Sequence, residues 1–309
     1  MTEELLEKLR PRAFAIAYRM LGTVSEAEDV VQEGLIRVHD ALAAGEEIAS
    51  PQAYLATVVT RLAIDELRSA RARRESYYGE WLPEPVITDD RDDPAIQAEM
   101  ADSLSLAFLV VLENLSPEQR AVFLLREAFD YPYSEIAQIV GRSEVATRQL
   151  ATRARRHIEA DRPRFEPSPE QHEELTRRFF EATQDGDLEA LEALLAEDVA
   201  LHGDGGGKAP ALSRALHGRG RVAKALRNWG RTLSRLEGIS IRPAEVNGAA
   251  GAVTFDGEGR VVSVIAFDVS EGRIQSIRSI VNPDKLRHLG PVGDLGALIR
   301  AARASGPPG

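Results

Sequence analysis

The sequence predicts a multidomain chain: two all-α parts followed by an α+β cone. Three observations carry this. Two helix starts, at Ser116 and Ser143, flank a shorter helical segment that ends at Gly141, which is the spacing of a helix-turn-helix. β-Branched runs with glycine-bearing turns occur only after residue 238. Prolines at 83, 85 and 94, and again at 163, 167 and 169, mark two boundaries, and 309 residues suffice for each part to bury its own core.

Composition excludes several chemistries. With no cysteine there is no disulfide framework, thiolate nucleophile or Cys-ligated metal site, and no metal or cofactor is expected. Hydrophobic residues make up 43% and charged residues 28%, without an apolar run of membrane-spanning length, so no membrane partner is expected. The opening MTEELLEKLRPR lacks the apolar core of a signal peptide, which predicts a cytoplasmic protein. The net charge of −11 is segregated: Arg61 to Arg74 and Arg142 to Arg156 are basic, Glu80 to Asp93 and Glu181 to Asp198 acidic.

Residues 4–43 read as two amphipathic helices, the first through Leu5, Leu9, Phe14 and Tyr18, the second capped by Ser25 and running from Glu26 to Leu42, with Gly22 at the turn. Asp29 and Glu33 stand four apart beside Gln32, a carboxylate stripe that suits a basic partner helix or is simply solvated. Pro51 begins a third helix to about Arg74. Its apolar first half gives way to Arg61, Arg68, Arg71, Arg73 and Arg74 around Asp65 and Glu66, followed by Tyr77, Tyr78 and Trp81. Guanidinium groups beside aromatic rings fit unpaired bases, since rings stack on bases while cations track the backbone. A helix end that caps its own dipole is the competing reading.

From Ser76 to Ala101 the prolines and the run Asp89 to Asp93 forbid a continuous helix and predict an extended acidic linker. Trp81, ahead of Leu82 and Pro83, is costly to leave in water and is expected to dock on a neighbouring domain.

Ser116, Pro117 and Gln119 form a capping box with proline at the first helical position. Tyr133 and Ser134 open the short segment of Ile136, Ala137 and Val140, closed by Gly141. Ser143 then caps a helix with Val145, Leu150 and Ala154 on one side and Arg142, Arg148, Arg153, Arg155 and Arg156 set against Glu144. In such motifs the start of the second helix reaches base edges, which nominates Glu144, Thr147, Arg148 and Gln149; a helical hairpin with a solvated basic face is the plainer alternative.

Beyond Pro169, His172 to Gln184, Asp187 to Leu195 and Gly220 to Leu236 read as helices. Ile239 to Val246, Ala252 to Phe255, Val261 to Val269 and Ile274 to Val281 read as strands of a curled antiparallel sheet, joined by turns such as Asn247-Gly248, Asp256-Gly257 and Glu271-Gly272. His202, Asp204 and Asp256 are conceivable acid–base groups, yet no tyrosine follows Tyr133 to serve as a phenolic oxyanion donor. Gly205 to Gly207 lack the Ser or Thr and helix start of a phosphate loop and read as a mobile loop or tight bend. Leu295, Leu298 and Ile299 give a short apolar pattern that covers either the cone or the helical parts.

AEDVVQE at 27–33, TRLAIDELRSARARRE at 60–75 and the helix-turn-helix at 116–158 resemble, in order, regions 2.2, 2.3 to 2.4 and 4 of an extracytoplasmic-function (ECF) RNA polymerase sigma factor. The resemblance implies that Asp29, Gln32 and Glu33 dock on the β′ clamp helices of core polymerase, with the β flap as a further contact. It implies that Arg61, Asp65, Arg68, Arg71, Arg73 and Arg74 engage the −10 element, and that Arg142, Ser143, Glu144, Thr147, Arg148, Gln149, Arg153 and Arg155 read the −35 element of promoter DNA. Many members of the family carry Asn where Arg61 stands.

Residues 170–288 resemble a SnoaL-like domain of the NTF2-like superfamily. Asp204, Gly205, Gly206, Gly207 and Lys208, with Asn282, Pro283, Asp284, Lys285 and Leu286, resemble the DGGGK and NPDKL signatures of ECF sigma factors that carry such a domain; the linker WLPEP, with Trp81, Leu82 and Pro83, resembles the same subgroup. The implied layout is region 2 at 1–75, a linker at 76–101, region 4 at 102–162, a linker at 163–169, a SnoaL-like regulatory domain at 170–288 and a tail at 289–309. The signature residues either contact the linker and control the sigma regions in cis, or only seal the mouth of the cone. A small-molecule ligand in the cone stays open. The alternatives are a ligand-sensing helix-turn-helix regulator and a fused isomerase or cyclase; catalysis is not expected.

Overall fold

A computed structural model describes residues 2–88, 105–161 and 169–304. They form two compact units: residues 2–76 with 105–161, and residues 77–88 with 169–304. The acidic run Asp89 to Asp93, most of the 163–169 linker and the last five residues lie outside the described residues.

The first unit is helical: α1 Thr2–Leu21, α2 Val24–Ala43, α3 Pro51–Glu75, α4 Leu106–Leu112, α5 Pro117–Glu127, α6 Tyr133–Val140 and α7 Glu144–Asp161. Helices α1 to α3 pack around Ile16, Tyr18, Val31, Val38, Leu55 and Val59. Gly34 lets α2 and α3 close up, because a Cβ there would stand 2.9 Å from both Leu55 Cδ1 and Val59 Cγ2. The start of α2 falls earlier than its serine suggested. Thr23 is the cap residue, with its hydroxyl donating to Glu26 Oε2 at 2.6 Å, while Ser25 lies inside the helix and is exposed.

The helix-turn-helix forms from the signals in its sequence. Ser116 accepts from Gln119 N and the Gln119 side chain accepts from Ser116 N, so two free amides at the start of α5 are satisfied. Gly141 closes α6 at φ 67°, and Ser143 Oγ accepts from Ala146 N to start α7. One face assignment holds only in part: of Val145, Leu150 and Ala154, Val145 is 68% exposed, and α7 packs through Thr147, Ala151, Ala154 and Ile158. Those four recur at helical spacing on one side, and Thr147 tolerates burial because its hydroxyl donates to Ser143 O.

The second unit comprises α8 Pro169–Asp185, α9 Leu188–Leu194, β1 Leu195–Asp204, β2 Leu216–His217, α10 Arg219–Leu233, β3 Ser240–Val246, β4 Ala249–Phe255, β5 Val261–Ser270, β6 Arg273–Ile280 and α11 Leu295–Ala304. The strand order is β2-β1-β6-β5-β4-β3. Antiparallel pairing holds from β3 to β6, but β1, absent from the expectation, pairs parallel with β6. Its pattern is masked because the exposed Glu197 and Asp198 fall where the register shifts between Leu195 and Ala200. Phe179, Leu191, Val199, Leu226, Phe267 and Ile277 form the core between helices and sheet. Leu295 and Ile299 of α11 pack with Val262, Val281 and Trp229, so the C-terminal apolar pattern covers the cone. Among the described residues no helix is long and apolar enough to cross a membrane.

Candidate functional site

Two constellations emerge, one in each unit. In the first, the exposed face of α2 presents Asp29, Gln32 and Glu33, with Ile36 one turn on at 48% exposure. Gln32, Leu35, Ile36 and His39 border a groove of about 260 Å³ with Leu6 and Arg10 of α1.

Several arginines of the two basic stretches are held by internal partners. Arg61 donates from Nε to Ile139 O at 2.9 Å and from Nη2 to Gln138 O at 2.9 Å, at the carbonyl end of α6. Arg68 bridges Asp65 Oδ1 at 2.9 Å and Glu118 Oε1 at 3.0 Å. Arg142 reaches the same Glu118 carboxylate, at 3.0 Å from Oε2. Glu118 thus joins one arginine from each of the two basic stretches. Arg148 pairs with Glu144 at 2.6 Å and lies 4.4 Å from the centroid of the Tyr133 ring; Arg155 pairs with Glu127 at 2.5 Å, which raises its already high pKa further. Arg153, Gln149 and Ser143 are exposed. The side chains of Arg71, Arg73 and Arg74 lie outside the described residues. Thr147 has no exposed surface and its side chain cannot reach a base edge, a correction forced by the packing face of α7.

In the second unit Asp204, at the end of β1, is fully buried and accepts three hydrogen bonds: Tyr77 Oη to Oδ1 at 2.5 Å, Leu82 N to Oδ2 at 2.8 Å and Lys285 Nζ to Oδ2 at 2.6 Å. Lys285 also donates to Leu82 O, and its ammonium lies 4.2 Å from the Trp81 ring centroid and 5.0 Å from that of Tyr77. Asn282 Nδ2 donates to the Tyr77 oxygen at 2.7 Å. Burial first, then the hydrogen bond to Asp204, hold the Tyr77 phenol well above its ordinary pKa, so it stays protonated and donates.

The glycine run is the tight bend. Lys208 N and Ala209 N both return to Gly205 O, Gly206 and Gly207 adopt φ 56° and 72°, and Lys208 pairs with Asp284. A Cβ on Gly206 would stand 2.3 Å from Asn282 Nδ2. Pro283 begins a short 3-10 turn whose cap, Asn282, accepts from Asp284 N.

The linker continues along the sheet edge. Val86 O accepts from Asn247 N, Asn247 Oδ1 accepts from Val86 N, and Thr88 N donates to Glu245 O, each at 2.8 Å. Glu80 meets His202 Nδ1 at 2.6 Å, and His288 Nε2 sits 2.7 Å from Pro85 O. Residues 77–88 are therefore a built part of the second unit and not a free spacer. Tyr77 is spent on Asp204 and cannot stack on a base; Tyr78 is 72% exposed and its ring side packs along Gly207. The linker does bring a phenol to the second unit, but it is engaged by Asp204 and Asn282. Tyr77 reads from the sequence as a ring for unpaired bases, and Asn247 and His288 are not nominated there as linker contacts, because no local pattern links residues more than 120 positions apart.

Comparison with known proteins accords with this division. Residues 5–73 match the Sigma-70 region 2 family, residues 105–158 the Sigma-70, region 4 family and residues 176–279 the SnoaL-like domain family. The chain is 39% identical over 291 residues to the ECF RNA polymerase sigma factor SigJ of Mycobacterium tuberculosis, covering 90% of this chain and 91% of that protein. It is also similar to the crystal structure of the M. tuberculosis extracytoplasmic function sigma factor SigJ, with a TM-score of 0.74 at 36% identity, covering 93% of this chain and 98% of that one. With helical sigma regions 2 and 4 followed by a SnoaL-like α+β domain, this chain belongs to the ECF RNA polymerase sigma factors: it is a transcription initiation factor that binds RNA polymerase.

Proposed function

We propose that this sigma factor docks on the β′ clamp helices through Asp29, Gln32 and Glu33, with Ile36 and the adjoining groove supplying apolar area between the charges. In the promoter complex Arg61, Asp65, Arg68, Arg71, Arg73 and Arg74 engage the −10 element. Arg142, Ser143, Glu144, Arg148, Gln149, Arg153 and Arg155 engage the −35 duplex, and the β flap supports region 4.

The arrangement described above is a closed one. Arg61, Arg68 and Arg142 are occupied by Gln138, Ile139 and Glu118, and each of those bonds is exchanged for one to DNA when the factor opens. The SnoaL-like domain modulates that opening in cis. The observation that carries this reading is the buried Asp204, which fastens Tyr77 and Leu82, just beyond region 2, to the C-terminal domain. A fastened linker shortens the tether between regions 2 and 4 and so changes their effective concentration for each other. No catalysis is assigned to the cone: Asp204 is fully hydrogen-bonded, and Phe179, Phe180 and Phe267 pack together in the core.

The test is transcription in vitro by core polymerase on a promoter library, with the full chain and its Asp204→Asn, Asp284→Ala and Glu118→Gln variants. Promoter-specific transcripts that depend on the chain and change in amount with Asp204→Asn or Asp284→Ala support the reading. Equal output from wild type and both aspartate variants rejects control in cis.

A further inference from the structure

Between Arg219 and Leu236 the sequence holds six basic residues and no acidic one, in a chain of net charge −11. Helix α10 sorts them by face. Val222, Ala223, Leu226 and Gly230 are buried, whereas Arg221, Lys224, Asn228 and Arg231 are exposed. At 3.6 residues per turn the exposed set lies in a strip about 80° wide and roughly 15 Å long, opposite the buried face. Arg235, exposed in the turn after the helix, extends it. Among the described residues no carboxylate pairs with Arg221, Lys224, Arg231 or Arg235. Across a cleft of about 610 Å³ bordered by Asn228 and Thr232 stand Arg300 and Arg303 of α11; the Asp294 carboxylate nearest Arg300 is 3.8 Å away.

A row of unpaired like charges repels itself, and solvated helix faces ordinarily interleave the two signs. Its complement is a polyanion. Duplex DNA presents a charge about every 1.7 Å of its axis, so the strip faces several phosphates at once. A protein partner would call for an aromatic or apolar anchor within the strip, but the nearby Trp229 lies off it, partly buried against Leu236, Leu295 and Ile299 on the cleft side. Unpaired bases would call for exposed rings, and the strip has none.

We propose that α10 is a further DNA contact of this sigma factor, binding the phosphate backbone of a duplex through Arg221, Lys224, Arg231 and Arg235 without reading its sequence. The test is fluorescence anisotropy of a random-sequence duplex of about 30 base pairs against the full chain as salt is varied, together with affinity for core polymerase. Each phosphate contact contributes about 0.9 to the slope of log K against log salt. The R221Q/K224Q/R231Q/R235Q variant is expected to lose about two to four units of slope and to bind at least about tenfold more weakly at low salt. The charge-keeping R221K/R231K/R235K variant retains the slope. K224Q/R231Q serves if the fourfold change impairs folding, with about half the loss. An unchanged slope, or no duplex binding at about 20 mM salt, overturns the proposal. So does an unchanged slope with weakened core binding, which makes the strip a polymerase contact. Failure of core polymerase to use the protein would reject the proposed function above and leave this measurement standing.

Discussion

Lys285 and Asp204 form an ion pair of 2.6 Å with almost no solvent exposure on either side chain, and the ammonium is backed by the Trp81 ring. Two charges removed from water are tolerable only when each is fully coordinated. Asp204 has Tyr77 and Leu82 N as further donors, and Lys285 has Leu82 O. Removing one partner strands the other. Asp204→Asn is expected to destabilise the second unit by about 3–5 kcal/mol, and Asp204→Asn with Lys285→Met by clearly less than the sum of the single changes. Denaturant midpoints of the four proteins measure this.

Tyr77 gives the clasp a pH dependence of defined sign. Its folded-state pKa is raised, by burial and then by Asp204, so the folded form holds the phenolic proton more tightly than the unfolded one. That stabilisation is present at all pH values below the ordinary phenol pKa of about 10 and declines as pH rises beyond it. Unfolding midpoints should fall more steeply above about pH 10 in wild type than in Tyr77→Phe, which lacks the titrating group. At neutral pH Tyr77→Phe should cost roughly 1–3 kcal/mol, because Asp204 loses a donor and Asn282 an acceptor.

Glu118 holds Arg68 and Arg142 with a carboxylate that is about a quarter exposed, so its stabilising effect is screened. Glu118→Gln should alter thermal stability by less than about 1 kcal/mol, yet it frees two arginines for phosphates. Tighter promoter binding by the holoenzyme is the expected outcome. Weaker binding would mean that Glu118 positions Arg142 for DNA.

On α7 two neighbours should behave oppositely. Arg148→Ala is expected to weaken promoter duplex binding by about 1–3 kcal/mol and to relax selectivity at the contacted position. Thr147→Val should leave selectivity unchanged, because its side chain is buried; any cost appears as lost stability, from the hydrogen bond to Ser143 O. Binding titrations against single-base promoter variants separate the two.

The sequence by itself determined the helix-turn-helix, since Ser116, Gln119, Gly141 and Ser143 act on backbone groups within a few residues, and it determined four of the strands through β-branched runs and their glycine turns. It also grouped the DGGGK and NPDKL signatures and the WLPEP linker in one resemblance, with linker contact and sealing of the cone left as alternatives. Gly220 to Leu236 reads from the sequence only as a helix, and which of its basic residues are free depends on the buried face of α10. Tertiary structure alone decided the rest. The parallel β1–β6 pairing, the union of Arg68 and Arg142 on Glu118, and the Tyr77–Asp204–Lys285 clasp all join residues with no local relation. Local signals fix an element because its hydrogen bonds close within a few residues; which distant charge is buried beside which is fixed only when the elements pack and water is expelled between them.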